Sequence, residues 1–139
     1  MPAQLFIETF PVGVLQCNCV VIGDDVSKTA VVVDPGDEIE RITEVLERRG
    51  LTVSAIVATH AHIDHVGGFA ALKDVTGAQV MLHEADVPLY ESMAFQAQWL
   101  GVATPSMPRI DGTLDEASSL AVGAANIDVR HTPGHSPGS

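Results

Sequence analysis

The segment Thr59–Gly68, which reads THAHIDHVGG, concentrates the residues best suited to chemistry. It holds His60, His62, Asp64 and His65 within six consecutive positions. Imidazole nitrogens and a carboxylate suit zinc, iron or manganese better than metals that prefer thiolate ligands alone. Folding gives no reason to place four such side chains where a buried strand meets a helix, because unpartnered polar groups are costly to bury. We therefore predict a metal site rather than a loop that is rich in histidine by chance.

The spacing of these ligands predicts two adjacent sites. Alternate residues of an extended segment project to the same side, so His60 and His62 can bind one metal ion together. The turn into the following helix would then bring Asp64 and His65 towards a neighbouring point. Each pair of side chains would thus contribute to a different ion, with the two ions close together.

A second group of histidines lies near the end of the sequence, in the stretch RHTPGHSPG at 130–138. There a predicted strand runs into a rigid Pro-Gly turn that carries His135. Taken alone, this residue fits an exposed turn histidine, but together with the first segment it becomes the candidate third ligand of the first metal. We expect His131 and His83 to have structural or exposed roles, since neither lies in a comparable cluster of ligand types.

The elements that must position these ligands alternate between strand and helix patterns. Short apolar runs predict strands at 5–10, 15–22, 30–33, 53–58, 78–82, 120–122 and 126–131. The first three would form an antiparallel meander. Apolar residues at helical spacing predict a helix that opens at Asp37, with Ile39, Ile42, Val45 and Leu46 on one face. They also predict a second helix that contains Phe69, Leu72 and Val75, and helical structure from 84 to 101. This alternation is typical of an α/β protein.

The composition limits the class of protein. A chain of 139 residues with 46% apolar and 18% charged residues fits one globular domain. Seven basic residues against 18 acidic ones leave a formal charge of −11. Such a field repels phosphate backbones and anionic headgroups, so we expect no nucleic-acid partner and no membrane partner. A small-molecule substrate remains the expected partner.

The cysteines and the apolar runs bear on location. Cys17 and Cys19 are the only cysteines, and we expect them to point to opposite faces of an extended segment and to remain free thiols. Purely apolar runs such as Ala30–Val33 are far too short to span a bilayer. Free thiols are usual in a reducing compartment, so the expected location is cytoplasmic.

The motifs THAHIDHVGG and HTPGHSPGS together resemble those of the metallo-β-lactamase superfamily. The two glycines after the ligands resemble its glyoxalase II (hydroxyacylglutathione hydrolase) branch. Upstream, Cys17–Gly23 is similar to the strand that those proteins write NCYLIG, and Val33–Gly36 matches their VDPG motif. The resemblance covers the whole chain.

This resemblance implies an αββα sandwich with a binuclear metal site at one edge. His60, His62 and His135 would hold the first metal, and Asp64 and His65 would belong to the second. Asp34 would orient the site from behind the ligands, because ligating imidazoles usually donate their other N–H to an acceptor. The implied cofactor is zinc, as one or two ions, with iron or manganese as alternatives.

The chain also departs from the family pattern. In family members an aspartate that bridges the metals and a last histidine ligand follow the HTPGH turn, whereas this sequence stops at Ser139. We therefore expect one metallo-β-lactamase-like domain over residues 1–139 that is incomplete at its C-terminus. It would be the N-terminal portion of the sandwich, a mixed sheet with helices on one face. The uncovered sheet face would then promote self-association.

The expected function is metal-dependent hydrolysis, with thioesters as the favoured substrate class. A metal-bound hydroxide would attack the carbonyl, and Asp64 could accept a proton from the water. Lactamase, lactonase and persulfide dioxygenase activities stay open as alternatives within the same fold. A truncated chain that binds metal without catalysis is the alternative from another class, and the missing ligands favour it. The residues from Tyr90 to Trp99 could line a substrate channel, although core packing is the more ordinary interpretation.

Overall fold

Six strands form one mixed sheet in the computed structural model, which describes residues 2–139. In both chain order and sheet order they are β1 (Leu5–Val12), β2 (Cys17–Asp24), β3 (Thr29–Val33), β4 (Thr52–Val57), β5 (Gln79–His83) and β6 (Gly112–Leu114). The first three strands pair antiparallel, as predicted, and β3 to β6 pair parallel. The carboxyl ends of β3, β4 and β5 therefore lie along one edge. The predicted α/β class with a mixed sheet is confirmed.

Helices connect the parallel strands and pack on one face of the sheet. They are α1 (Ile39–Arg49), α2 (Ile63–Val66), α3 (Phe69–Thr76), α4 (Val87–Glu91) and α5 (Met93–Leu100). A short 3₁₀ helix, Glu84–Asp86, precedes α4. The helical structure predicted at 84–101 is thus divided into three short pieces. None of the helices described in residues 2–139 has both the length and the apolar character that crossing a bilayer requires.

The main core lies between the helices and the sheet. Ile42, Val45 and Leu46 of α1 are buried there, as their helical spacing predicts. Gly50 closes α1 with φ +67°, in the left-handed region that glycine adopts without a steric penalty. Val75 lies in α3 together with Phe69 and Leu72, as predicted, but its side chain is 64% exposed whereas theirs are buried. It lies in the last turn of α3.

Cys17 and Cys19 both point into this core, so the expectation of opposite faces is wrong. Residues two apart on a strand share a face, since side chains alternate along it. The two thiols are free, as predicted.

The opposite face of the sheet is covered in part. A hairpin of β7 (Ser119–Val122) and β8 (Ala125–Asp128) packs Val122 against Val31, Ala55 and Val57. Strand β1 lies at the edge of the sheet, outside this cover. Its residues Leu5 and Ile7 are 54% and 66% exposed on the same face as Val31. The apolar face that was expected to be uncovered is therefore restricted to the β1 side of the sheet.

Candidate metal centre

The predicted ligands lie at the edge of the sheet where β3, β4 and β5 end. Asp34 follows β3 directly, and His60 and His62 lie in the loop after β4. The single helical turn α2 then carries Asp64 and His65. Because parallel strands present their carboxyl ends at one edge, residues far apart in the sequence meet here.

Glycines hold the loop after β3 tightly against α2. A Cβ atom at Gly36 would lie 1.6 Å from the backbone oxygen of Asp64, and one at Gly68 would lie 2.2 Å from the backbone oxygen of Pro35. Neither position can accept a larger residue without moving the backbone. This contact explains why a VDPG sequence accompanies a ligand segment that ends in two glycines, and it fixes the backbone from which Asp64 projects.

The three histidines predicted to share the first metal come together. Ring nitrogens of His60, His62 and His135 lie within 4.8 Å of one another. His62 Nδ1 is 3.1 Å from His135 Nε2. Nitrogens that share a tetrahedral zinc at bond lengths of 2.0–2.1 Å lie about 3.3 Å apart, so this pair already has nearly the required separation.

The Nε2 atom of His60 supports the same interpretation. It is buried, and within the part of the chain that the structure describes it has no hydrogen-bond partner. Buried polar atoms are normally hydrogen-bonded, so an exception needs an explanation. A cation held between this nitrogen and those of His62 and His135 would provide one, and the donor set fits zinc.

Asp34 sets the orientation of two imidazoles. Its Oδ2 accepts hydrogen bonds from Thr59 Oγ1 at 2.7 Å and from His65 Nδ1 at 2.8 Å. Thr59 Oγ1 also lies 3.0 Å from His60 Nδ1. Because the threonine proton points to Asp34, the threonine oxygen accepts from the Nδ1–H of His60. Nδ1 of each histidine therefore carries a proton, which makes Nε2 the ring nitrogen that would bind a metal ion.

The second predicted pair is also close together. Asp64 Oδ2 lies 3.4 Å from His65 Nε2, the nitrogen that Asp34 leaves free. On the other side of the same ring, Cys17 Sγ lies 3.4 Å from His65 Nδ1. Cys17, Asp34 and His65 thus form a second compact group of ligand types. Since Asp34 already occupies Nδ1, the open side of the His65 ring is the side that faces Asp64.

The protonation of the histidines follows from burial and from neighbouring charges. Burial, together with the nearby rings of His65 and His62, lowers the pKa of His60 from 6.5 to about 4. Burial and His135 also lower the pKa of His62. Burial opposes a charge on His65 as well, but the hydrogen bonds to Asp34 and Cys17 outweigh it and raise the pKa of His65 to about 10. At neutral pH His60 is thus in the neutral form that metal binding requires, whereas His65 carries a second proton that a metal ion would have to displace.

Comparison with known proteins identifies the family of this chain. The sequence profile of the metallo-beta-lactamase superfamily matches residues 12–139. The chain belongs to this superfamily. It is 37% identical over 139 residues to the hydroxyacylglutathione hydrolase GloC of Haemophilus influenzae, a match that covers 95% of this chain and 63% of that protein.

Solved structures of the superfamily have the same fold. The crystal structure of the BLEG-1 B3 metallo-β-lactamase matches with a TM-score of 0.85 at 36% identity, over 96% of this chain and 65% of that chain. The structure of TTHA1623 in a di-iron-bound form matches with a TM-score of 0.80 at 37% identity, over 94% of this chain and 63% of that chain. The chain spans less than two thirds of the length of each of these superfamily members.

A cavity of about 370 Å³ opens beside Asp64 in this superfamily member. The turn between β1 and β2 contributes Val14 and Leu15 to its wall, and the chain after α5 contributes Val102 and Pro105. Tyr90 and Met93 are buried in the main core, which confirms the ordinary interpretation for these two residues. The cavity is thus lined mainly by apolar residues, together with the carboxylates of Asp37 and Asp64.

Two other histidines lie outside the ligand cluster. The rings of His83 and His131 stack at a centroid distance of 4.0 Å. His83 Nδ1 accepts a hydrogen bond from the backbone of Ala85, and His131 Nε2 lies 2.9 Å from the backbone oxygen of Pro137. These contacts fit the structural role predicted for both.

The sequence analysis missed two residues beside the centre, Cys17 and Asp86. The position of Cys17, two residues before the core residue Cys19, was a usable signal, because it places both on one face. Asp86 is fully buried and bonds to the backbone of Ala61, between two of the ligands. Its only signal was its position just after a strand that ends at the ligand edge.

Proposed function

We propose that this chain forms the metal-binding part of a metal-dependent hydrolase that acts on thioesters of small molecules. The observation that carries the proposal is the cluster of His60, His62 and His135 beside Asp64 and His65, with the unpartnered Nε2 of His60 directed into it. The similarity to GloC supports a thioester substrate. The equally close similarity to a B3 metallo-β-lactamase supports a second candidate activity, hydrolysis of a β-lactam amide.

The residues present fit one ion well and a second in part. His60, His62 and His135 would hold the first ion, and Asp64 and His65 would contribute to the second. Zinc suits the three imidazoles, and the di-iron form of TTHA1623 supports iron as the alternative. When bound, such an ion would polarise the carbonyl of the substrate and lower the pKa of a coordinated water molecule towards neutrality.

The side chains of this chain would supply orientation and proton transfer. Asp64 is part-exposed and lines the cavity, so its carboxylate can accept the proton of the attacking water. The water oxygen would bond to the carbonyl carbon and the carbon–sulfur bond would break. The proton held on Asp64 could then pass to the leaving thiolate. Asp34 and Thr59 would keep the imidazoles in the tautomer that this arrangement needs.

The cavity supports an apolar acyl group in the substrate. Val14, Leu15 and Val102 offer apolar surface close to Asp64. The carboxylates of Asp37 and Asp64 on the same wall, within a chain of net charge −11, would repel an anionic substituent placed there. We also propose a cytoplasmic location, which the two unbridged thiols support.

The test combines metal content with two substrates. The purified chain is stripped with a chelator, reloaded with zinc and analysed for bound metal, and thiol release from acyl-thioesters is compared with ring opening of a β-lactam. We expect uptake of about one zinc ion per chain and only weak thioester hydrolysis, which should be faster for an apolar acyl group than for a carboxylate-bearing one. His62→Ala should lose zinc, whereas His83→Ala, which removes a histidine outside the cluster, should retain it. Unchanged zinc content in the His62→Ala variant would contradict the site, and β-lactam hydrolysis alone would contradict the substrate.

A further inference from the structure

Asp86 is a buried carboxylate that contacts both parts of the histidine cluster. It ends the 3₁₀ helix after β5, and its side chain is 0% exposed. Its Oδ2 accepts hydrogen bonds from the backbone N–H of Ala61 at 2.9 Å and from Ser136 Oγ at 2.7 Å. Its Oδ1 accepts one from the backbone N–H of Gly138 at 2.6 Å. A buried charge is costly without such donors, so all three bonds contribute to keeping it in place.

These three donors flank the candidate ligands. Ala61 lies between His60 and His62, and Ser136 is the residue after His135. The two ligand segments are 73 residues apart in the sequence. One carboxylate therefore joins the backbone of the first segment to the turn that carries the third histidine.

The turn at 132–139 depends strongly on this contact. Within residues 2–139, its other hydrogen bonds lie inside the turn or join it to His131 and His62. Gly138 permits the close approach, because a Cβ at this position would lie 2.8 Å from the backbone nitrogen of Asp86. The last glycine of the HTPGHSPGS motif thus has a role in bringing the turn onto Asp86.

We infer that Asp86 is a positioning residue that holds the His135 turn against the His60–His62 segment and thereby sets the metal affinity of the three-histidine cluster. This inference rests on the proposed function. His135 itself is exposed. Without Asp86 the turn would have to be ordered when the metal binds, and the cost of ordering would reduce the affinity. Partners that orient ligands typically contribute about 10- to 100-fold to metal affinity.

The experiment compares Asp86→Asn with a matched control, Asp24→Asn. Asp24 is also buried and accepts backbone hydrogen bonds, from Gln4, Val26 and Ser27, but it lies on the β1–β2 side of the sheet. Zinc affinity of the chelator-stripped chains is measured by competition with a chromophoric chelator, and stability of the metal-free chains by urea unfolding. The visible spectrum of the cobalt-loaded chains reports the number and geometry of the ligands.

We expect Asp86→Asn to weaken zinc binding about 10- to 100-fold and to alter the cobalt spectrum. Asp24→Asn should lower stability but keep the zinc affinity and the spectrum. If Asp86→Asn fails to fold, Ser136→Ala removes one of the three donors, and it should weaken zinc binding to a smaller extent. The inference is overturned if a folded Asp86 or Ser136 variant binds zinc with the affinity of the unmodified chain. It is also overturned if the Asp24 control loses as much zinc affinity as Asp86→Asn. Both outcomes leave the proposed function standing. Failure of the unmodified chain to bind zinc would overturn the proposed function and the inference with it.

Discussion

Asp34 accepts a hydrogen bond from the Nδ1–H of His65 at 2.8 Å and, through Thr59, also orients His60. One buried carboxylate thus aligns an imidazole in each of the two predicted metal sites. The two sites share this support, so a change at Asp34 should affect both, whereas a change at one ligand should affect mainly its own ion.

Asp34→Asn is therefore expected to weaken metal binding at both sites. An amide nitrogen in the place of Oδ2 cannot accept the hydrogen bonds from Thr59 Oγ1 and His65 Nδ1, so the imidazoles of His60 and His65 would both lose their orientation. We expect zinc affinity to fall about 10- to 100-fold. The measurement is a zinc titration of the chelator-stripped chain. The control is Asp74→Asn, which makes the same chemical change on the exposed surface of α3 and should bind zinc as the unmodified chain does. If the unmodified chain and both variants bind zinc with equal affinity, the role given to Asp34 is contradicted.

Gly36→Ala should be strongly destabilising. The added Cβ would overlap the backbone oxygen of Asp64 at 1.6 Å, so the loop and α2 would have to separate. Overpacking typically costs about 1–3 kcal/mol, and a clash with backbone is at the upper end of that range or above it. Gly50→Ala is the control, because a Cβ added at this position meets nothing within 4 Å. The only cost there is that alanine must adopt a φ of +67°, which is unfavourable by about 1–2 kcal/mol. Urea unfolding that shows a smaller loss for Gly36→Ala than for Gly50→Ala would contradict the predicted overlap.

Asp24 should make stability depend on acid pH. Hydrogen bonding by Ser27, with the backbone N–H groups of Gln4 and Val26, outweighs burial and lowers the pKa of Asp24 from 3.8 to about 2. Between pH 2 and pH 3.8 Asp24 binds a proton in the unfolded chain but not in the folded chain. The stability that its lowered pKa contributes is therefore complete above about pH 4 and is lost as the pH falls towards 2.

The check is the free energy of unfolding measured from pH 2 to pH 6 for the unmodified chain and for Asp24→Asn. The variant should be less stable at neutral pH and should lose less stability on acidification. Identical slopes for the two chains in the acid range would show that the pKa of Asp24 is not lowered by folding.

The exposed side of β1 should promote self-association. Leu5 and Ile7 present apolar surface on an edge strand, and unpaired strand edges beside apolar side chains favour pairing with a second copy. We expect light scattering to show species larger than a monomer at high protein concentration. Ile7→Lys should shift the distribution towards the monomer, and Val75→Lys, an equally exposed apolar position on α3, should not. A monodisperse monomer for the unmodified chain would refute the expectation.

The sequence was sufficient for the features that depend on short-range pattern. The helical spacing of Ile42, Val45 and Leu46 identified the buried side of α1, and alternation placed His60 and His62 on one side of a loop. The motifs THAHIDHVGG and HTPGHSPGS also identified the superfamily. These features are local, because backbone geometry alone decides which residues only a few positions apart can face the same way.

Tertiary structure decided what joins distant segments. The turn with His135 lies 3.1 Å from His62 because the strands and the hairpin between them bring the two loops to one edge of the sheet. Asp86 has no motif of its own, and only the folded chain shows that it bonds to Ala61 and Gly138. Such contacts depend on how whole elements pack, and no periodicity within one element specifies them.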